Sequence, residues 1–125
     1  MSNILIADDS QDLLEMLYLV FKRNNFTIFT VNNRASLEEY LQRIIPSVII
    51  IDAYFREHDG REICKELKQN KQFKNTHIIL MSGNPKVLQD YKDYYADDIL
   101  EKPFSIEYLL SKIESLSNEA TRSNK

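Results

Sequence analysis

The strongest hydrophobic feature of the chain is a run of four branched aliphatic residues at positions 48–51, which leads directly into Asp52. A run that is apolar at every position and rich in β-branched residues is typical of a strand buried on both faces. Such a strand lies in the middle of a parallel sheet that carries helices on both sides. Asp52 would then stand at the carboxyl end of the strand, where open α/β sheets keep their ligand sites.

Shorter apolar runs predict four further strands, at residues 4–7, 26–31, 77–81 and 97–100. The run 26–31 alternates between apolar and polar positions and the run 97–100 is partly polar, so both are predicted to be edge strands.

Helical periodicity follows each of the five strands. Polar residues with a known preference for helix starts precede each periodic stretch. The predicted helix starts are Asp9 or Ser10, Ser36 in a capping box, Asp59, Asn84 before Pro85, and Ser105. The fourth helix is predicted to continue as far as Tyr95, residues 53–60 are predicted to form a polar loop, and residues 118–125 a frayed polar tail.

Five strands that alternate with five helices predict a single α/β domain with a parallel sheet and right-handed crossovers. The net charge of −3 gives no basic surface for nucleic acid or for a membrane. No apolar stretch is long enough to span a bilayer, no signal peptide is recognisable, and Cys64 is the only cysteine, so we expect a cytoplasmic protein. Cys64 is interpreted as a small core residue.

Polar side chains follow four of the five predicted strands, and parallel strands bring their carboxyl ends to one edge. These residues are Asp8 and Asp9, Asp52, Ser82 and Lys102. Clustered carboxylates repel one another, so at least one pKa should rise unless a cation neutralises the charge, and Mg²⁺ suits such oxygen ligands. Lysine and hydroxyl groups beside a metal-bound carboxylate indicate phosphoryl chemistry, with Asp52 as the nucleophile. The simpler interpretation of Asp8 and Asp9 is that they cap the first helix.

The chain resembles the receiver domain of two-component response regulators from about residue 3 to residue 116. The resemblance rests on motifs that occur in the family's order and spacing: Asp8-Asp9, Ile49-Ile50-Ile51-Asp52, Asp59-Gly60, Met81-Ser82-Gly83 and Lys102-Pro103-Phe104. It implies a flavodoxin-like three-layer sandwich with strand order 2-1-3-4-5. The receiver domain would cover residues 1–117 and the polar tail residues 118–125.

The resemblance also implies a role for each site residue. Asp52 would accept a phosphoryl group from a histidine kinase or a histidine phosphotransferase. Ser82 would bond that group, Lys102 would pair with it, and the Lys102–Pro103 peptide would be cis. The Mg²⁺ ligands would be Asp8, Asp9, Asp52 and the backbone carbonyl of Tyr54. Such a domain is not an enzyme beyond its own phosphorylation and dephosphorylation.

Four positions depart from the family's usual pattern or adjoin the acceptor. Arg56 stands where the family usually has proline, so the loop is expected to be less rigid. Ile99 replaces the usual aromatic switch residue, and Tyr95 stands where glycine is frequent. Tyr54 follows the acceptor by two residues, a position that in the family influences phosphate loss, and we hypothesise that its ring shields the acyl phosphate.

Three functions therefore compete at this point. The first is a stand-alone phosphorylatable receiver that signals by protein contact through its helix 4–strand 5–helix 5 face or by phosphorelay, with no nucleic-acid or membrane partner. The second is a degenerate receiver that binds partners without phosphorylation. The third is a phosphatase with Asp52 as nucleophile, although the haloacid-dehalogenase type has a second aspartate where this chain has Tyr54.

Overall fold

The computed structural model describes the backbone of residues 3–123 and the side chains of residues 3–116. Five strands form one parallel sheet, and two short strands form a separate hairpin. The strands are β1 (Asn3–Ala7), β2 (Thr27–Val31), β3 (Val48–Asp52), β4 (Tyr54–Phe55), β5 (His58–Asp59), β6 (His77–Ser82) and β7 (Asp98–Glu101). The order β2-β1-β3-β6-β7 is the predicted order 2-1-3-4-5 of the main strands.

Strand β3 lies at the centre of the sheet, as its unbroken apolar run predicts. Ile50 pairs with Ile6 of β1 on one side and with Ile79 of β6 on the other, and all three are fully buried. Alternate residues of β3 enter two separate cores, with Ile49 in one and Ile50 in the other. Burial on both faces makes the molecule a three-layer sandwich.

Five α-helices within the described residues cover the two faces. They are α1 (Gln11–Arg23), α2 (Arg34–Arg43), α3 (Gly60–Lys68), α4 (Pro85–Leu88) and α5 (Ile106–Ser123), with 3-10 helices at Lys71–Phe73 and Tyr91–Tyr94. Buried residues of α1 and α5 share one core, and those of α2, α3 and α4 share the other. The flavodoxin-like fold is thereby confirmed.

The start of α2 differs from the predicted capping box at Ser36. Asn33 is the N-cap, and its side chain accepts a hydrogen bond of 2.8 Å from the Ser36 N–H. Asparagine and serine cap helices about equally well, so the cap three residues earlier lets the helix begin at Arg34. Ser10, Asp59 and Asn84 cap α1, α3 and α4, and the Ser105 hydroxyl accepts a hydrogen bond from Tyr108 N–H at the start of α5.

The fourth helix is shorter than predicted. It ends at Leu88, and a 3-10 helix over Tyr91–Tyr94 follows before Tyr95 enters the left-handed region with φ 62°. Leu88 is buried, and Tyr91 is partly buried against the same core. The apolar spacing is therefore satisfied by two short helical segments instead of one continuous helix.

Residues 53–60 are more ordered than the predicted polar loop. Strands β4 and β5 pair antiparallel, with Tyr54 opposite Asp59 and Phe55 opposite His58. Phe55 is fully buried, and it anchors this otherwise polar hairpin in the core.

The last helix is longer than predicted, since α5 continues to Ser123 and includes residues 118–123 of the predicted frayed tail. Residues 124–125 lie outside the described part of the chain. None of the helices among residues 3–123 combines the length and apolar character that a bilayer crossing requires. Burial raises the pKa of the Cys64 thiol to about 12, as expected for a core cysteine.

Candidate functional site

The parallel sheet brings four of the predicted site residues to its carboxyl edge. Asp8 directly follows β1, Asp52 ends β3, Ser82 ends β6, and Lys102 directly follows β7. Since these strands are neighbours in the order β1-β3-β6-β7, the side chains approach one another although they are far apart in sequence.

Lys102 joins two of the carboxylates. Its ammonium group donates hydrogen bonds of 2.7 Å to Asp8 Oδ2 and of 2.7 Å to Asp52 Oδ2. The side chain of Asp8 is 2% exposed and that of Asp52 is 15% exposed. A cation between two such carboxylates compensates charge that could not stay buried alone.

The backbone around Lys102 fixes this arrangement. The Lys102–Pro103 peptide is cis, as the resemblance implies. The Lys102 N–H donates a hydrogen bond of 2.8 Å to the Ser82 carbonyl, so the loop that follows β7 stays attached to the end of β6.

The pKa values of Asp52 and Lys102 are both shifted by burial and by the neighbouring charges. Burial raises the pKa of the Asp52 carboxyl and the neighbouring Asp8 acts in the same direction, while hydrogen bonds from Lys102 and from the Tyr54 N–H oppose the rise. For Lys102, burial acts to lower the pKa, but hydrogen bonds to Asp52 and Asp8 outweigh it and the pKa is raised. Lys102 is therefore a cation at neutral pH.

Asp8 and Asp9 have different environments. Asp8 Oδ1 accepts a hydrogen bond of 2.8 Å from the Ser10 N–H, while Ser10 itself caps α1. Asp9 is exposed, and its Oδ2 accepts a hydrogen bond of 3.0 Å from the Arg56 N–H. The acidic pair therefore divides its contacts between the sheet edge and the hairpin of β4 and β5.

The hairpin also contacts the acceptor. The Tyr54 N–H donates a hydrogen bond of 2.7 Å to Asp52 Oδ1, and the Tyr54 residue is 74% exposed. At the other end of the hairpin, a Cβ on Gly60 would lie 2.0 Å from the Asp52 carbonyl oxygen, so only glycine fits there. The Asp59-Gly60 motif thus starts α3 directly against the acceptor strand.

Ser82 reaches the same edge of the sheet but serves a local role in this structure. It is 7% exposed, and its Oγ accepts a hydrogen bond of 3.0 Å from the Asn84 N–H. The residue therefore shapes the turn between β6 and α4.

The predicted magnesium ligands fit the ion by their chemistry, because all are hard oxygen donors and the ammonium of Lys102 already places a positive charge between Asp8 and Asp52. However, in the part of the chain that the structure describes, no group of three or more histidine, cysteine or acidic side chains is arranged to hold a metal ion. Asp9 is instead bonded to the hairpin. The magnesium site remains a prediction.

Two contacts of this region had no signal in the sequence. The Arg56 guanidinium Nε donates a hydrogen bond to the Asn32 carbonyl, and the Asn32 side chain donates one of 3.2 Å to Gln11 Oε1. Arg56 was recognisable only as a departure from a family pattern, and no local rule predicts its long-range partner.

Comparisons with known proteins concern the family of the chain and its fold. The family model described as "Response regulator receiver domain" matches residues 4–114. Among curated proteins, the response regulator ArlR of Staphylococcus epidermidis is 32% identical over 93% of this chain, and ArlR of Staphylococcus aureus is 31% identical over 93%. The chain spans about half the length of these relatives, 52% in both cases.

Solved structures show the same likeness. The chemotaxis response regulator CheY4 of Vibrio cholerae superposes with a TM-score of 0.84 at 25% identity, covering 93% of this chain and 98% of that one. A signal receiver domain of a histidine kinase from Syntrophus aciditrophicus superposes with a TM-score of 0.86 at 26% identity, covering 98% and 94%. The chain belongs to the response regulator receiver domain family.

Proposed function

We propose that this receiver domain accepts a phosphoryl group on Asp52 in a Mg²⁺-dependent reaction. The observation that carries the proposal is the Lys102 ammonium, which lies 2.7 Å from both Asp8 Oδ2 and Asp52 Oδ2 although Lys102 follows the last strand of the sheet. Phosphoryl transfer requires a positioned nucleophile and positive charge around the transferred group, and this edge of the sheet supplies both.

In the proposed reaction an Asp52 carboxylate oxygen attacks the phosphorus of a phosphohistidine. The new O–P bond gives an acyl phosphate, and the P–N bond breaks so that its electron pair returns to the imidazole. Asp52 is held for this attack by the Tyr54 N–H on Oδ1 and by Lys102 on Oδ2. Mg²⁺, held by Asp8, Asp9, Asp52 and the Tyr54 carbonyl, would neutralise charge on the transferred oxygens. Lys102 would move from the carboxylate to a phosphoryl oxygen, and the Ser82 hydroxyl would bond another.

The proposed partners follow from the family. A histidine kinase or a histidine phosphotransferase would supply the phosphoryl group, and the proposed compartment is the cytoplasm. Output would pass by protein contact through the face of α4, β7 and α5, without nucleic acid or membrane. In this scheme the domain acts alone, and its only reactions are its own phosphorylation and dephosphorylation.

Phosphorylation is tested with a small acyl-phosphate donor and a gel that retards phosphoproteins. The wild-type chain should shift when donor and Mg²⁺ are both present, and it should keep its original mobility when the metal is chelated before the donor is added. Asp52→Asn should abolish the shift, because its amide cannot form the acyl phosphate. Asp93→Asn, a similar change at an exposed position, is the matched control and should shift like the wild type.

The outcomes separate the competing functions. A folded wild-type chain that does not shift at any donor concentration would contradict the proposal and favour the degenerate receiver. A shift that persists in Asp52→Asn would place the phosphoryl group elsewhere. Turnover of a generic phosphate ester would favour the phosphatase.

A further inference from the structure

The hairpin of β4 and β5 carries a strained residue at its tip. Arg56 and Glu57 form the two-residue turn, and Arg56 has φ 56°. Tight hairpin turns place glycine or asparagine at such positions, because the left-handed region brings a Cβ atom too close to the following carbonyl oxygen. Strain of this kind persists only where neighbouring contacts hold the residue in place.

Two contacts hold Arg56, and both lead away from the hairpin. Its guanidinium bonds the Asn32 carbonyl in the loop between β2 and α2, and its backbone N–H bonds Asp9 Oδ2 at 3.0 Å. The turn is thus fastened across the edge of the sheet at the Asp9 carboxylate.

We propose that this fastening is a latch on the acidic site, in which Arg56 retains Asp9 on the hairpin and Asp9 must leave Arg56 before it can join Asp8 and Asp52 around a divalent cation. The proposal rests on the proposed function, since it concerns the same site. Asp8 and Asp52 already share one cation, Lys102, whereas no third carboxylate in the described residues completes a metal-binding group with them. In this proposal, the Arg56 hydrogen bond to Asp9 breaks when the three carboxylates assemble.

Three substitutions at one position separate the latch from the charge of the arginine. Arg56→Gly, Arg56→Ala and Arg56→Pro all lose the positive charge and the contact with Asn32. Glycine adopts the positive φ without strain and keeps the latch. Alanine is strained at positive φ, so its latch is weaker. Proline has no N–H and a φ fixed near −65°, so it cannot form the latch at all.

The measurement is a calorimetric titration of each variant of the 125-residue chain with MgCl₂ alone, with no phosphoryl donor. We expect the affinity for Mg²⁺ to rise in the order glycine, alanine, proline. The alanine variant should bind about five- to tenfold more tightly than the glycine variant, because strain equivalent to about 1–1.4 kcal/mol is removed when Asp9 leaves residue 56. In the glycine and alanine variants, the residue-56 amide resonance should shift on binding as it loses the carboxylate. Urea unfolding of each variant checks that it is folded. If the proline variant is unfolded, the comparison of the glycine and alanine variants alone tests the latch.

Equal affinities in the folded variants, or the reverse order, would overturn the latch while leaving the magnesium site in place. The reverse order would mean that the Arg56 N–H positions Asp9 for the metal as an outer-shell donor. Binding by none of the variants or the wild type would instead overturn the magnesium site, and the latch with it.

Discussion

Tyr54 is the residue whose effect on the proposed reaction is easiest to isolate. Its backbone N–H bonds Asp52, while its side chain is exposed two residues beyond the acceptor. We expect Tyr54→Asn to speed loss of the phosphoryl group about threefold, because an apolar ring excludes the attacking water better than an amide does. The half-life of the phosphorylated chain after donor removal measures the effect.

Tyr54→Phe is the control for this experiment, since it retains the ring and removes only the hydroxyl. Its half-life should match that of the wild type. An unchanged half-life in Tyr54→Asn would exclude shielding by the ring.

At the level of residues, the sequence predicted those whose position depends on the sheet alone. Asp8, Asp52 and Lys102 end or follow parallel strands, so their convergence follows from topology. The contacts of Arg56 were not predictable, because they depend on a positive φ and on a carbonyl 24 residues away. The prediction of Ser36 as the cap of α2 was wrong, because Asn33 lies three residues earlier and suits the role equally well.

Among the elements, the segment between β6 and β7 departs furthest from regular structure. It consists of α4, a 3-10 helix and Tyr95 in the left-handed region. Tyr95 is 51% exposed, so little packing offsets its strain. We expect Tyr95→Gly to stabilise the protein by about 0.5–1 kcal/mol, since relief of the left-handed cost exceeds the added chain entropy of glycine. Urea unfolding measures the change.

Tyr95→Ala separates backbone strain from loss of the ring. Alanine removes the same side-chain contacts but keeps the unfavourable φ, so this variant should be no more stable than the wild type. If alanine stabilised the protein as much as glycine, the ring and not the backbone would be the source of strain.

Strand positions were predictable because a short continuous apolar run in this pattern is typical of a buried strand of a parallel sheet. The break after α4 was not, because apolar side chains at helical spacing fit one continuous helix or two short segments equally well. The β4–β5 hairpin was missed because one buried residue, Phe55, stands among polar neighbours. A single apolar position gives no period to read.

For the whole molecule, the charged edge of the sheet destabilises the folded state by an amount that depends on pH. Burial, aided by Asp8, raises the pKa of Asp52 above its ordinary value of 3.8 in the metal-free protein. Folding is therefore penalised once pH rises through the folded pKa, and the penalty is absent below the unfolded pKa. With a chelator present, the melting temperature of Asp52→Asn relative to wild type should increase between about pH 4 and about pH 7.

Magnesium provides the second measurement at this scale. If the ion binds only the folded protein, it should raise the melting temperature of the wild type at neutral pH and raise that of Asp52→Asn less. In the pH experiment with a chelator, a melting-temperature difference between Asp52→Asn and wild type that stays constant with pH would show that ionised Asp52 carries no net penalty for folding.

The overall architecture was predicted in two steps, the first from the residue pattern and the second from the family resemblance. The alternation of strands and helices predicts a parallel α/β sheet without any reference to a family. The strand order did not follow from that pattern and came from the resemblance, because short crossovers permit several orders of five strands.

The position of Lys102 also has a consequence for protein synthesis. Asp8 and Lys102 are 94 residues apart, so a ribosome releases both Asp8 and Asp52 well before the lysine that joins them. A nascent chain that has already paired β1 with β3 holds two adjacent carboxylates without their counterion. Translation must therefore pass the final strand before Lys102 can compensate the negative charge of Asp8 and Asp52.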